Sequence, residues 1–430
     1  RDSSTSRGLG DVYKRQNSMK KHIILLSALL LTGTVKAQSP LPGKTEILEA
    51  IEGCTTYATN ILLDESGKSR CDYNMVQGKW YPYEEPWHTG QIILGLLDAY
   101  EITKSPQALA AARKAGDWWI GLEIKDNPAL KGMVGATHGD DIGNDKIVFA
   151  TVTDGTHGIF ELSRITGDKK YAQVASNALG WMLEHMYYPE EGVCYDLADL
   201  KTGEIQKVSP FYKDKKQQVL DDVSRPNTEG SPFKDAYEFT KDKRFKDAHL
   251  LLCNSLIDKQ DENGIWMRYI PNHREVSSFH PRFNLWYAES LLEAYEMTKD
   301  RKYLEAAAKT ARTYAKAQKV DGTIFYDNYT DGKPSDKGSV CGSAVAFAGI
   351  LWIRLAGYGY DEFVPNYERS LRWIIKNRYA ANHPDPNLRG GVINTRMRMK
   401  KGQIWLTQRD VGTSFGLRFL AAYYNLKFNK

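Results

Sequence analysis

Acidic residues stand at or near the start of four segments with a helical hydrophobic pattern. These acids are Glu85, Asp154, Glu229 and Asp410. Two carboxyl groups can hydrolyse a glycosidic bond, because one donates a proton while the other activates water or attacks directly. An acid that begins a helix also caps free amides, and the helix dipole lowers its pKa unless burial or a neighbouring anion raises it. The pattern therefore supplies four candidate acids and does not choose among them.

Aromatic and basic residues accompany these acids. The predicted substrate-binding residues are Trp87, His88, His157, His280, Arg282, Trp286 and Arg409. Aromatic faces stack on sugar rings, and arginines bind hydroxyls and anionic groups through directional hydrogen bonds. This mixture predicts a carbohydrate cleft, particularly one for an acidic sugar. The structural alternative is that aromatic residues at loop–helix junctions anchor packing and that single histidines are hydrogen-bonded structural residues.

Motifs for a cofactor or a metal do not occur in the sequence. It contains no HExxH, EF-hand loop, GxxxxGK[ST] or GxGxxG pattern, so we expect neither a cofactor nor a metal. Asp140 and Asp141 with Asp145 could hold a cation, although a solvated loop is the preferred interpretation. The five cysteines show no CxxC pair and are expected to be small buried side chains; Cys54 and Cys71 are the nearest pair for a disulfide.

A repeated phrase defines the elements that position these residues. Its copies are DAYEITKS (98–105), LSRITGDKKY (162–171), DAYEFTKDKRF (235–245) and EAYEMTKDRKY (293–303), with a weaker copy over 354–363. Each copy ends one apolar helix and begins a second, more polar one, which predicts five helical hairpins.

Single helices are predicted over 44–63 and 412–424, and if they pair with each other the chain has six hairpins and twelve helices. The predicted fold is therefore all-α: an (α/α)6 toroid with short extended pieces between repeats. The more apolar first helices should form the inner ring. An open solenoid is the alternative, but it would leave apolar faces at both ends. In a closed toroid the segments that lead into the inner helices meet at one mouth.

The N-terminal region predicts export. Residues 1–18 precede Met19 and have the character of a non-native leader, and 19–37 have the basic start, short apolar run and small residues of a signal peptide. We expect cleavage after Ala37, a single catalytic domain over 38–430, and a periplasmic or secreted location without membrane insertion. The net charge of +5 lies within residues 1–37, so the remainder is neutral and gives no reason to expect a nucleic-acid partner.

The segment VTDGTHGIFELSRITGDKKYAQVA (152–175) resembles the unsaturated uronyl hydrolases of glycoside hydrolase families 88 and 105. The resemblance implies the toroid fold and places Asp154 on the family's catalytic acid/base, which protonates a C4–C5 double bond before water adds at C5. The chain differs from the family in two places. Trp87-His88-Thr89-Gly90 stands where the family has a second aspartate, and Glu229 stands where an arginine of its W-x-R-G-x-x-W signature is expected.

The leading hypothesis is an exported glycoside hydrolase that removes terminal uronic-acid residues, unsaturated or saturated, from polysaccharide-derived oligosaccharides. In this hypothesis Asp154 is the catalytic acid/base, as the resemblance implies, and Glu229 and Asp410 are its candidate partner carboxylates. A polysaccharide lyase on the same toroid, which would cleave uronate-containing glycans by β-elimination, is the alternative. A non-catalytic glycan-binding protein and a sugar 2-epimerase are weaker alternatives.

Overall fold

The structure is a computed structural model that describes residues 40–139, 143–207, 219–335, 338–400 and 402–429. The predicted leader, the predicted signal peptide, Asp140 and Asp141 lie outside these residues. Pro42–Lys430 forms one compact unit. Among the described residues, none of the helices has the length and apolarity needed to cross a membrane.

Twelve α-helices occur in the described part of the chain, as the sequence predicts. They are α1 (Lys44–Tyr57), α2 (Glu85–Thr103), α3 (Pro106–Ile120), α4 (Phe149–Thr166), α5 (Lys169–His185), α6 (Pro232–Thr240), α7 (Lys243–Lys259), α8 (Phe283–Thr298), α9 (Arg301–Ala317), α10 (Gly342–Gly357), α11 (Val364–Lys376) and α12 (Val411–Phe428). The even-numbered helices are the inner ones. Helix α12 packs against both α1 and α2, so the two ends of the chain close the ring and the predicted (α/α)6 toroid is confirmed.

The repeated phrase is the turn that joins an inner helix to the following outer helix. In the second copy the Thr166 hydroxyl donates to the Leu162 carbonyl at 2.6 Å, and Gly167 turns the chain at φ +72°. The Asp168 carboxylate then accepts from the Lys170 amide at 3.1 Å and caps the next helix. The phrase therefore supplies a helix stop and a helix start within three residues.

Helices α2 and α4 approach each other closely through three glycines. A Cβ added to Gly90 would overlap the backbone of Gly155, and one added to Gly158 would overlap the Gly90 carbonyl. A Cβ at Gly155 would lie 2.8 Å from the Pro86 carbonyl oxygen. Because Asp154 directly precedes Gly155, this contact fixes where its side chain lies relative to α2.

The third inner position is partly filled by an extended segment, because α6 has only nine residues. Asn227, Thr228 and Glu229 precede it and are fully buried. The Ser290 hydroxyl of α8 lies 3.1 Å from the Asn227 Oδ1 and also donates to the Gly230 carbonyl. This segment thus takes the place of the first turns of an inner helix.

Short strands occupy the connections. They are β1 (Asp72–Asn74), β2 (Lys79–Tyr81), β3 (Thr137–Gly139), β4 (Gly143–Val148), β5 (Tyr187–Tyr188), β6 (Val193–Tyr195), β7 (Leu197–Asp199), β8 (Ser224–Arg225), β9 (Ser278–Phe279), β10 (Asn328–Tyr329), β11 (Thr395–Lys400) and β12 (Gln403–Gln408). They form sheets in the orders β11-β12-β1-β2, β3-β4-β7, β5-β6-β8 and β10-β9. The first sheet joins strands from the two ends of the sequence beside α12 and α2.

The cysteines are Cys54, Cys71, Cys194, Cys253 and Cys341; all are buried and free. The expectation of small buried side chains is confirmed, and Cys54 and Cys71 do not form a disulfide.

Replacing Gly158 with alanine should destabilise the protein by about 1–3 kcal/mol, because the added methyl meets backbone atoms of α2 that cannot move independently. Gly180, in the middle of outer helix α5, has nothing within 4 Å of an added Cβ. Its replacement by alanine should be neutral or stabilise by up to about 1 kcal/mol. Urea unfolding of both variants measures the difference; equal effects would contradict the proposed close packing of α2 and α4.

Candidate active site

A cavity of about 280 Å³ opens where the segments leading into five of the six inner helices meet. Its polar and aromatic lining consists of the acids Glu84, Asp154 and Asp196, the arginines Arg225, Arg282, Arg396, Arg398 and Arg409, the histidines His138, His273 and His280, and the aromatic residues Tyr83, Trp87, Phe283 and Trp286. The toroid therefore brings residues from across the chain to one mouth.

Asp154 lies inside α4 rather than at its start. The helix begins at Phe149, so the expectation that Asp154 caps it is wrong; the apolar residues before Asp154 belong to the first turn. The side chain is 4% exposed, and its Oδ1 has no hydrogen-bond partner among the described residues. Burial raises the pKa of Asp154 well above its usual value, and repulsion by Glu229 and Glu84 adds to this, while Arg282 and Arg225 oppose it. These surroundings favour the protonated form of the Asp154 carboxyl, which lines the cavity.

Glu229 is close to Asp154 but is not part of the lining of the main cavity. It is fully buried and lines a second, small cavity of about 30 Å³ that also touches Asp154. The Arg225 Nη1 lies 3.0 Å from the Glu229 Oε1, although the angle does not make a hydrogen bond. The structure thus brings two of the three predicted carboxylates together.

Asp410 immediately precedes α12 and lines neither of these two cavities. Its carboxylate contacts the His88 Nδ1 and accepts from the Ser69 hydroxyl at 2.5 Å. Burial raises the pKa of Asp410, but these contacts outweigh burial and lower the pKa below its usual value. The Arg409 Nη2 lies 3.2 Å from the His88 Nε2, and Arg409 also donates to Asp72 at 2.9 Å.

His88 therefore links Asp410 to the cavity rather than lining it. A guanidinium can only donate, so the His88 Nε2 accepts and its Nδ1 carries the proton donated to Asp410. The structural result is that Asp410 and His88 together hold the Arg409 guanidinium at the cavity wall.

Arg282 and Trp87 form one wall of the cavity. Arg282 precedes α8, donates to the Ser343 hydroxyl at 3.1 Å and lies over the Trp87 and Tyr326 rings, with its Cζ 5.4 and 5.8 Å from their centroids. These contacts hold the guanidinium flat against aromatic faces. Trp286, on α8, lines both cavities.

His280 is a neutral hydrogen-bond donor to the cavity. Its Nδ1 accepts from the Arg282 amide at 3.2 Å, which leaves the Nε2 proton for another partner. Burial lowers the pKa of His280 well below its usual value, and the surrounding arginines lower it further. By contrast, the predicted ligand His157 is half exposed and pairs with Asp235 at 2.7 Å beside the small cavity.

Five of the acids and arginines that line the cavity were not among the predicted site residues: Glu84, Asp196, Arg225, Arg396 and Arg398. From sequence, Glu85 was named as a candidate acid rather than the adjacent Glu84. In the structure Glu85 pairs with Lys68 at 3.1 Å. The arginines of β11 could have been found from the alternation in TRMRMK, since a strand places every second side chain on one face. Met397 and Met399 are the exposed residues of this strand.

Positive charge predominates in the cavity lining. Arg225 pairs with Asp196 at 2.6 Å and Arg409 with Asp72. Among the described residues, no acid pairs with Arg282, Arg396 or Arg398. Unpaired guanidiniums beside a concave aromatic site favour an anionic ligand.

A closed ring of six helical hairpins is the (α/α)6 architecture of several carbohydrate-active enzymes. Residues 59–261, somewhat less than half of the chain, match the family model "Beta-L-arabinofuranosidase, GH127 catalytic domain". This match supports the predicted enzyme class, a glycoside hydrolase. A search of curated proteins finds no sequence match.

Solved structures with the same fold include several sugar-processing enzymes. Cellobiose 2-epimerase from Bacillus thermoamylovorans is 13% identical, with a TM-score of 0.68 over 89% of this chain and 100% of its own. An unsaturated glucuronyl hydrolase specific for heparin is 14% identical, with a TM-score of 0.61 over 90% and 98%. A structure described as a possible member of the GH105 family from Klebsiella pneumoniae is 17% identical, with a TM-score of 0.56 over 92% and 97%. The resemblance to uronyl hydrolases thus extends over the whole fold.

Asp410→Asn should destabilise the protein by about 1.5–3 kcal/mol, because it removes the charged acceptor of the buried hydrogen bonds from His88 and Ser69. Since the folded-state pKa of Asp410 is lowered, its stabilisation is present above the unfolded pKa of about 3.9 and is lost as the pH falls towards the folded pKa. Urea unfolding at pH 7 and at pH 3 measures both effects. A destabilisation that does not shrink at pH 3 would contradict this role.

Proposed function

We propose that this protein is a glycoside hydrolase that removes a terminal uronic-acid residue from oligosaccharides, with Asp154 as the acid/base. The observation that carries the proposal is the buried Asp154 carboxyl, which makes no ion pair, in a cavity whose lining includes three arginines without acidic partners among the described residues.

The size of the cavity supports removal of an end residue. Ligand pockets typically span about 300–1,000 Å³, so a cavity of about 280 Å³ is small and suits a terminal sugar better than an internal stretch of polymer. Trp87, Phe283 and Trp286 offer aromatic surface for the C–H face of the ring.

The cations support an acidic sugar. Arg282, Arg396 and Arg398 are available for the uronate carboxylate, and the His280 Nε2 proton is available for a hydroxyl. A neutral sugar would leave these guanidiniums desolvated without an anion, which costs free energy.

The pairing of the acids favours the unsaturated substrate. Glu84 contacts His138 at 3.2 Å and Asp196 pairs with Arg225, so Asp154 alone among the three lining acids makes no ion pair. Hydration of an unsaturated uronide uses such a single group. Asp154 gives its proton to C4 of the double bond, then accepts a proton from the water that adds at C5, and the resulting hemiketal opens to release the remaining saccharide. A saturated glycoside would need a second free carboxylate.

Asp154→Asn should lower turnover about 10²–10⁴-fold, because the amide cannot donate the proton. The assay is the loss of double-bond absorbance from unsaturated uronyl oligosaccharides. Glu161→Gln, a matched change on the exposed end of α4, should leave the rate unchanged. Near-normal turnover by a folded Asn variant would refute the proposed role.

Arg398→Gln should lower kcat/KM for uronides about 10–100-fold, in line with the roughly 1.5–3 kcal/mol contributed by hydrogen bonds to charged groups. The methyl esters of the same oligosaccharides lack the carboxylate and should be turned over equally by both proteins. An equal loss on acid and ester would show that Arg398 does not bind the carboxylate.

The alternative functions give different products. A gain of double-bond absorbance from an intact acidic polysaccharide would identify a lyase, and binding without any product would identify a glycan-binding protein. Isomerisation of a free sugar end would identify an epimerase.

We also propose that the protein is exported, on the strength of the basic and apolar pattern of residues 19–37. Expression in a bacterium followed by N-terminal sequencing of the mature protein should give Gln38 as the first residue. If the expressed protein instead stays in the cytoplasm with residues 19–37 still attached, export is contradicted.

A further inference from the structure

The small cavity behind Asp154 has a different character from the substrate cavity. Its volume of about 30 Å³ is close to the space of one water molecule, so it cannot admit a sugar. Glu229 lines it and has no exposed surface, whereas Asp154 lines both cavities. Glu229 therefore faces Asp154 from behind and does not reach the substrate.

We propose that Glu229 is a positioning residue that, together with Arg225, keeps the proton of the carboxyl pair on Asp154. The inference rests on the proposed function, in which Asp154 is the proton donor, and it assigns Glu229 a role other than the partner carboxylate predicted from sequence.

Arg225 decides which carboxyl ionises first. Its Nη1 lies 3.0 Å from the Glu229 Oε1, and its Nε is held by Asp196 at 2.6 Å. A fixed cation favours the carboxylate form of an adjacent acid, and of the two carboxyls Glu229 and Asp154 only Glu229 forms an ion pair with Arg225. Asp154 makes no ion pair and keeps its proton.

The resulting Glu229 anion then opposes ionisation of Asp154. Burial raises the pKa of both groups, that of Glu229 to about 8, and the charge that Glu229 gains when it ionises raises the pKa of Asp154 further. The two groups titrate as one pair with two steps, of which the first belongs mainly to Glu229 and the second mainly to Asp154.

The backbone holds Glu229 in an unusual conformation. Its φ is +52°, a left-handed value that costs a non-glycine residue free energy, and Gly230 follows at +96°. The Ser290 hydroxyl donates to the Gly230 carbonyl and fixes this turn from α8. A strained residue with buried, charged surroundings is typical of a functional position.

Other ionisable groups face the pair from neighbouring elements. Glu84 precedes α2 and contributes a negative charge, while Arg282 precedes α8 and contributes a positive one. The remaining groups of the small cavity are balanced by their own partners: His157 by Asp235, Glu289 by Arg418, and Glu293 by Lys234 and Arg354. Glu229 is therefore the anion of this cavity that acts most directly on Asp154.

The kinetic test compares pH profiles of kcat/KM. A general acid must be protonated, so the rate falls as the pH rises through the pKa of Asp154. Glu229→Gln keeps the shape but removes the charge, and it should move this alkaline limb to lower pH by about one unit or more. Glu229→Asp retains the charge, so its alkaline limb should lie closer to that of the unmutated protein than the limb of Glu229→Gln does. Glu289→Gln, in the same cavity, should leave the limb in place. An unshifted limb in Glu229→Gln would overturn the proposal.

A spectroscopic test needs no substrate. Infrared difference spectra recorded across a pH titration report the C=O band of a protonated carboxyl. One band should be lost in the last titration step of the unmutated protein and be missing in Asp154→Asn. In the unmutated protein this band should shift when aspartate is labelled with ¹³C. It should not shift on labelling of glutamate. The opposite labelling result would place the proton on Glu229 and refute the inference, even if the Gln variant failed to fold. If Asp154→Asn stays active, the proposed function fails, whereas the spectra still decide where the proton lies.

Discussion

Closure of the helical ring is the constraint on which the site depends. Helix α12 packs between α1 and α2, and side chains separated by more than 300 residues meet across this seam. Asp410 contacts His88, Arg409 pairs with Asp72, and Arg418 donates to Gln91 at 3.2 Å. In a solenoid these buried charges would lack partners, at a cost of several kcal/mol each. Closure and charge pairing thus stabilise each other.

The glycine contact between α2 and α4 converts this ring into a precise site. Because the two backbones touch at Gly155, the preceding Asp154 is held at the junction of two cavities. The larger of the two cavities is aromatic and positively charged. The smaller one is acidic and closed to sugars. A single carboxyl thereby faces the substrate on one side and an unreachable anion on the other, which is a simple way to keep an acid protonated in a cavity rich in arginine.

The fold could be predicted from sequence because the turn that joins the two helices of a hairpin recurs as one short sequence pattern. The threonine, the left-handed residue and the capping aspartate are each set by short-range hydrogen bonds, so their spacing alone predicts two helices. Asp154 was also found from its segment, although its place within α4 was not, because an apolar first turn looks like the strand before it. The role of Asp410 could not be predicted, since it depends on a contact with His88 across the seam.

The arginines of β11 were missed for a related reason. Their alternation is a strand pattern inside a chain otherwise governed by helical periodicity, and nothing local shows that this strand joins β1 through β12. The cavity arginines Arg396 and Arg398 thus come from the sheet that crosses the seam, whereas Asp154 comes from a helix. The acid could therefore be found from a helical pattern, whereas the arginines required a strand pattern and a pairing that is not visible locally.

The position of β11, β12 and α12 after the other elements of the ring also has a consequence for synthesis. Arg396, Arg398, Arg409 and the support for His88 are all made later than the other elements that build the site. Until then α2 and α4 present an apolar seam and a half-formed pocket that has its acids but only some of its cations. Contacts of such long sequence separation form slowly. The nascent ring therefore remains open until β11, β12 and α12 have been made, and the candidate site is complete only when the ring closes.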